Sequence, residues 1–236
     1  MPTKIKVMSA GAVEAMVRGL GAEFERTSGH TLDIVINTAG ALRDRIKNGE
    51  AADLVILPPA ALDVLEAPGM FVPGSRINLG RTVTGVAVRD GAPVPDISTP
   101  GAFKQALLKA RSVGYTDPKA GGSSGTFFAG LLDKLGIAEA VNKKAFLGRR
   151  GVEVAQAVAD GRAEIGTTFI SEILTVRGAR LVGPLPGELH NVNTYTGAVL
   201  AASASRDAAM ALLRALTNPA TAARWTAAGL EPAFLT

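Results

Sequence analysis

The sequence predicts an α/β fold with mostly parallel strands. Short apolar runs alternate with helical stretches along nearly the whole chain. Aliphatic side chains and alanine supply most of a 47% hydrophobic content, and glycine, serine and threonine gather where strands hand over to helices. With 236 residues, the chain is long enough for one α/β unit or for two small lobes.

Residues 5–8 form the first expected strand, and Ser9-Ala10-Gly11 opens a helix carrying Met16, Val17 and Leu20 at helical spacing. Residues 34–36 are a second strand, after which Asn37-Thr38-Ala39-Gly40 starts a helix through Leu42 and Ile46. Residues 53–57 make a third strand, stopped by Pro58 and Pro59. Two segments follow, 77–81 and 83–88, the second alternating as a strand does when it crosses from one lobe to another. A proline-rich connector over 91–100 leads to a helix at 103–108 and a strand at 112–115. Tyr115-Thr116-Asp117-Pro118-Lys119-Ala120 then runs into Gly121-Gly122-Ser123-Ser124-Gly125 and a helix over 126–132. Further on come a strand at 146–147, a helix at 152–158 and a strand at 165–169, with Ser171-Glu172 as the cap of a short helix. Residues 193–200 return as a strand, and helices at 207–216 and 219–228 close the chain.

Composition removes several function classes. Without cysteine there is no disulfide framework, thiolate metal site or cysteine nucleophile, and two histidines, His30 and His190, do not make a histidine metal centre. His30 reads as a surface residue of a helix-to-strand turn. Aromatics at 5% give no stacking surface for RNA, and the net charge of +4 is scattered, densest at Lys143-Lys144 and Arg149-Arg150. Nucleic acid is therefore not the expected partner. No apolar run approaches the ~20 residues of a membrane span. The opening Met1-Pro2-Thr3-Lys4 has no apolar leader core, so the sequence as written reads as cytosolic, and as periplasmic if a signal was removed.

The three polar helix starts carry the chemistry. A helix start offers unpaired backbone N–H groups and the positive end of the dipole, which together cradle an anion. Ser123 and Ser124 have no Gly-x-Ser-x-Gly elbow, and the loop lacks the lysine-containing phosphate motif, so neither hydrolysis nor that mode of nucleotide binding is expected. Asp117-Pro118 reads as a turn initiator, Phe127-Phe128 as core, and Trp225 as a packing residue.

The order of these motifs resembles the periplasmic type II solute-binding proteins, specifically the molybdate-binding proteins of ABC importers. The residues that carry it span the chain: Val7-Met8-Ser9-Ala10, Asn37-Thr38-Ala39-Gly40-Ala41-Leu42, residues 49–56, Tyr115-Thr116-Asp117-Pro118, Gly151-Val152-Glu153-Val154, Glu164-Ile165-Gly166 with Ser171-Glu172, and residues 218–222. The resemblance implies two lobes, 1–82 with 197–236 and 83–196, each a mostly parallel sheet flanked by helices, hinged on two crossover strands. It implies a small anionic ligand in the cleft between them, no cofactor or metal, and an ABC permease as partner. Ligand contacts carried over are Ser9, Ala10, Thr38, Ala39, Gly40, Ser123, Ser124, Gly125, Gly151 and Phe169.

Phe169 stands where that family usually offers a tyrosine hydroxyl, and the glycine-serine loop is closer to the branch that includes aconitate isomerase. A carboxylate ligand would recruit Arg43 or Arg150, whose guanidinium forks match it. Two functions therefore stand side by side: a binder of a small oxyanion or carboxylate, and an isomerase of an unsaturated polycarboxylate. The second needs a proton acceptor, for which His190, Tyr195 or a cleft carboxylate is available. The catalytic residues are not identified by sequence alone.

Overall fold

The computed structural model describes residues 1–67 and 69–235; Pro68 and Thr236, both inside the expected first lobe, lie outside the described residues. Along the chain run β1 (Lys4–Ala10), α1 (Glu14–Ser28), β2 (Thr31–Asn37), α2 (Ala39–Lys47), β3 (Leu54–Leu57), α3 (Pro59–Leu65) and β4 (Ile77–Arg89). There follow α4 (Pro100–Lys109), β5 (Val113–Thr116), α5 (Ser123–Lys134), α6 (Ala138–Asn142), β6 (Ala145–Gly148) and α7 (Gly151–Ala159). The remainder comprises β7 (Ile165–Phe169), α8 (Ile170–Ile173), β8 (Ala179–Pro184), β9 (Val192–Val199), α9 (Arg206–Leu216), α10 (Ala222–Ala227) and β10 (Glu231–Pro232).

Contacts cluster these elements into two compact units, one of residues 1–81 and 193–236, the other of residues 82–192. In the first unit β1 is parallel to both β2 and β3, β9 is antiparallel to β3, and the sheet continues past β9 into the first part of β4, with which β10 pairs. All four residues of β3 are buried, which an apolar strand between helical layers requires. Met16, Val17, Leu20 and Phe24 form the buried stripe of α1, and Ala209, Leu212, Leu213 and Leu216 that of α9, which packs against α1. Trp225, fully buried, donates its indole N–H to the Leu216 carbonyl at 3.1 Å and so fixes α10 on the end of α9.

In the second unit β5 lies between β6 and β7, parallel to both, and the later part of β4 pairs antiparallel with β7 and with β8. Alternation sends Val86, Val88, Val113, Tyr115 and Ile165 into one core with Phe103, Leu107 and Phe128 of α4 and α5. The opposite face, with Ala87, is covered by Ala157, Val158 and Ile173 of α7 and α8.

Several local expectations are corrected. Ser9 and Ala10 belong to β1, which pairs on through Ala10, and the helix begins only after a 3-10 turn at Gly11–Val13. The segments 77–81 and 83–88 are one strand of 13 residues. Ser171 and Glu172 do not cap α8; they lie inside it, and Phe169 is the N-cap. His30 is half-buried, its Nδ1 accepting from Thr3 N at 3.1 Å and its ring stacked on Phe24.

Candidate functional site

In a parallel sheet every strand ends at the same edge, so the helices that follow begin side by side there. In the first unit the register makes this concrete: Ala10 of β1 is paired with Asn37 of β2, so the turn after β1 and the start of α2 are neighbours. Ser9, flanked by Ile36 and Ile56, is completely buried, and its hydroxyl donates to the Ala10 carbonyl at 3.2 Å. Thr38 is the N-cap of α2, where its Oγ1 accepts from Ala41 N at 3.3 Å and its own N–H donates to Asn37 Oδ1 at 2.8 Å. Ala39 and Gly40 are the first two residues of that helix, whose amides have no intrahelical acceptor.

The second unit gathers three helix starts along the ends of β5, β6 and β7. Thr116 pairs with Gly148, and Asp117 N donates to the Gly148 carbonyl at 2.8 Å, so α5 and α7 leave from adjacent strands. Asp117 also caps the short turn at Pro118–Ala120 by accepting from Lys119 N at 2.9 Å, the structural role read from its position before proline. The N-cap of α5 is Gly122, with no side chain closing it, so the amides of Ser123, Ser124 and Gly125 open the helix. Ser124 Oγ lies 3.2 Å from Thr116 Oγ1, both buried.

Two glycines at this edge are there for space, since neither has a left-handed φ. A Cβ on Gly125 would stand 2.2 Å from the Thr116 carbonyl oxygen, so only glycine lets α5 start this close to β5. A Cβ on Gly151, the first residue of α7, would stand 1.9 Å from Glu172 Oε2 and 2.1 Å from Thr168 Oγ1. Glu172 is buried, and Thr168 donates to its Oε2 at 2.7 Å. Ser171 Oγ and Thr84 Oγ1 are buried with no hydrogen-bond partner. Phe169, the buried end of β7, pairs with Thr84 of β4.

The structure thus groups Ser9, Ala10, Thr38, Ala39 and Gly40 at one edge of the first unit, and Ser123, Ser124, Gly125, Gly151 and Phe169 at one edge of the second. The two arginines have acidic neighbours: Arg43 contacts Asp44 at 2.8 Å, and Arg150 contacts Glu153 at 3.5 Å. Thr116, Thr168 and Glu172 were not singled out as site residues from the sequence. The available signals were Thr116 directly before the Asp-Pro turn and the i, i+4 spacing of Thr168 and Glu172. Among the described residues no cluster of three His, Asp or Glu side chains could hold a metal, and no helix is long and apolar enough to cross a membrane.

Comparison with known proteins places this geometry. The family described as bacterial extracellular solute-binding protein matches residues 5–231. An aconitate isomerase from Pseudomonas sp is 34% identical over 239 residues, covering 98% of this chain and 88% of that protein. The molybdate-binding protein ModA of Azotobacter vinelandii is 26% identical over 222 residues, covering 92% of this chain and 85% of that protein. Among solved structures, the periplasmic molybdate-binding protein of Azotobacter vinelandii superposes with a TM-score of 0.73 at 20% identity, over 96% of this chain and 98% of that one. The fold is therefore the α/β fold of the two-lobed periplasmic binding proteins.

Proposed function

The chain belongs to the bacterial extracellular solute-binding protein family, and within it we propose that this member binds a small oxyanion or carboxylate through its helix starts. The observation that carries the reading is the α5 start: no side chain caps it, glycine at 125 lets it reach the end of β5, and the buried pair Ser124 and Thr116 adds hydroxyls. Helix-start amides and neutral hydroxyls hold a dehydrated anion without a buried lysine. The edge of the first unit offers the same chemistry, with Ser9, Thr38 and the amides of Ala39 and Gly40. The family's extracellular description supports a place outside the cytoplasm when the protein is exported, and an ABC permease is the partner this reading expects.

Within this ligand class a carboxylate is favoured over molybdate. Phe169 offers no hydroxyl, and one missing donor leaves a buried oxyanion short by about 1–3 kcal/mol. The 34% identical aconitate isomerase also supports a second reading, in which the protein isomerises an unsaturated tricarboxylate. Thermal shift against molybdate, tungstate, sulfate, citrate and both aconitates separates the ligand classes. A ligand at 100 times its Kd adds about 2.7 kcal/mol, a rise in Tm of roughly 5–10 °C for a chain of this size. The expected shift is with the tricarboxylates; no shift with any anion refutes the binding reading. Proton NMR of cis-aconitate with catalytic protein tests the second reading, which requires trans product.

A further inference from the structure

Glu172 is the one buried carboxyl group among the described residues. Three residues of its own unit bear on its position. Thr168, four residues earlier at the end of β7, donates from Oγ1 to Oε2 at 2.7 Å and sets the orientation of the carboxylate. Gly151 leaves the space it fills, since any Cβ there would overlap the carboxylate, and no backbone angle demands glycine at 151. Ser171, the preceding residue, is buried with an unpaired hydroxyl, so this turn holds a hydrogen-bond donor that the chain itself does not use. The group stands at the same strand-end edge as the Ser124 cradle, with α5 and α7 leaving from the neighbouring β5 and β6.

We propose that Glu172 is the acid–base residue of an allylic proton shift on an unsaturated tricarboxylate; this rests on the isomerase reading above. The Glu172 carboxylate takes a proton from the methylene carbon, and the C–H electron pair forms a new double bond while the old one delocalises towards the conjugated carboxylate. The Glu172 carboxyl then returns the proton to the carbon at the far end of the allyl unit. The proton count is unchanged and no oxidant or cofactor enters. Helix-start amides and the Ser124 hydroxyl stabilise the charge that builds up on the substrate carboxylate. His190 is less suited to the task because it is exposed, on the turn before β9.

The test compares wild type with Glu172→Gln and Glu172→Asp, using cis-aconitate as the probe in D2O. Three readouts are taken: trans product, deuterium in the methylene position, which enters when the protonated Glu172 carboxyl exchanges with D2O between the two transfers, and the thermal shift on binding. The wild type is expected to give all three. Glu172→Gln is expected to keep the thermal shift while kcat and deuterium uptake fall together by roughly 10²–10⁴-fold, and Glu172→Asp to recover part of the rate. If Glu172→Gln does not fold, Thr168→Val is measured beside Glu172→Asp, and both are expected to lower kcat more than they change KM. Turnover by Glu172→Gln within threefold of wild type overturns the proposal and leaves the isomerase reading intact; so does unchanged kcat in both fallback variants. A wild type that binds tricarboxylate without product or deuterium uptake overturns both.

Discussion

The starts of α2 and α5 use similar residues to different ends. At α2 the Thr38 side chain turns back onto Ala41 N, and the Thr38 amide is taken by Asn37 Oδ1, so the chain satisfies part of its own helix start. At α5 the cap is Gly122, which has no side chain to turn back, and the hydroxyl of Ser124 lies beside Thr116. A self-capped start gains little from an added anion, whereas an uncapped one gains electrostatically and by hydrogen bonding. In the proposed function the α5 start is therefore the stronger anion anchor and the α2 start the weaker one.

The largest expected effect breaks the α5 start by filling its space. Gly125→Ala drives a methyl into the Thr116 carbonyl, a fixed backbone group, and overpacking of this kind costs roughly 1–3 kcal/mol or more. Gly130, on the same helix with nothing within 4 Å of its missing Cβ, has the opposite sign: Gly130→Ala is expected to stabilise by about 0.5–1 kcal/mol. Urea unfolding of both variants checks the pair. Equal and small changes would mean that α5 does not depend on its close approach to β5.

The next effect sharpens the contrast between the two starts. Ser124→Ala removes a hydroxyl offered to a charged ligand, a loss of roughly 1.5–3 kcal/mol in binding or about 10–150-fold in Kd. Thr38→Ala removes a cap and is expected to act mainly on stability, by about 0.5–2 kcal/mol. Calorimetric titration with the tricarboxylate, set beside thermal melts, reads both. A larger loss of affinity in Thr38→Ala than in Ser124→Ala would reverse the ranking of the two edges. Phe169→Tyr, which restores the hydroxyl usual in the molybdate-binding family, is expected to raise molybdate affinity by several-fold in the same titration, about the worth of one hydrogen bond.

The fold was legible because its signals are local. Apolar runs ended by glycine or proline mark strands, and the stripes of α1 and α9 repeat at helical spacing. The starts of α2 and α5 were legible for the same reason, since glycine, serine and threonine at strand ends favour turns and caps. The extent of β1 was not: Ser9-Ala10-Gly11 looks like a helix opening, and only pairing with Ile36 and Asn37 keeps the first two residues in the strand. Glu172 was hidden because its role depends on Gly151, 21 positions earlier in the chain, and on the burial of a side chain that is usually solvated. Beside Ser171 it reads as a cap, the commoner use of that pair of residue types at a helix start.

Away from the helix starts, the two units also differ in how they hold a surface carboxylate, and this gives the smallest expected effect. Glu50 in the first unit accepts from Arg45 Nε and Nη2, each at 2.6 Å, and from Lys6 Nζ at 2.9 Å. Hydrogen bonds from Arg45 first, and then from Lys6, bring its pKa down to about 2. Glu164 in the second unit accepts from the Arg111 amide at 3.0 Å and from its guanidinium at 2.9 Å, and these bonds also lower its pKa. A carboxylate whose folded pKa lies below its unfolded value stabilises the fold above the unfolded pKa, near 4.3, and loses that contribution as pH falls through the folded value. For Glu50 the window runs from about pH 4.3 down to about pH 2. Glu50→Gln is therefore expected to be slightly less stable than wild type at neutral pH and indistinguishable below pH 2, with a flatter acid limb between. Glu164→Gln should change in the same direction. Both pairs are partly solvated, so the differences are small and shrink with added salt. Urea midpoints measured across this pH range at low and high ionic strength decide it: a Glu50→Gln limb as steep as that of wild type would show that Arg45 and Lys6 bind this carboxylate no better in the folded chain than in the unfolded one.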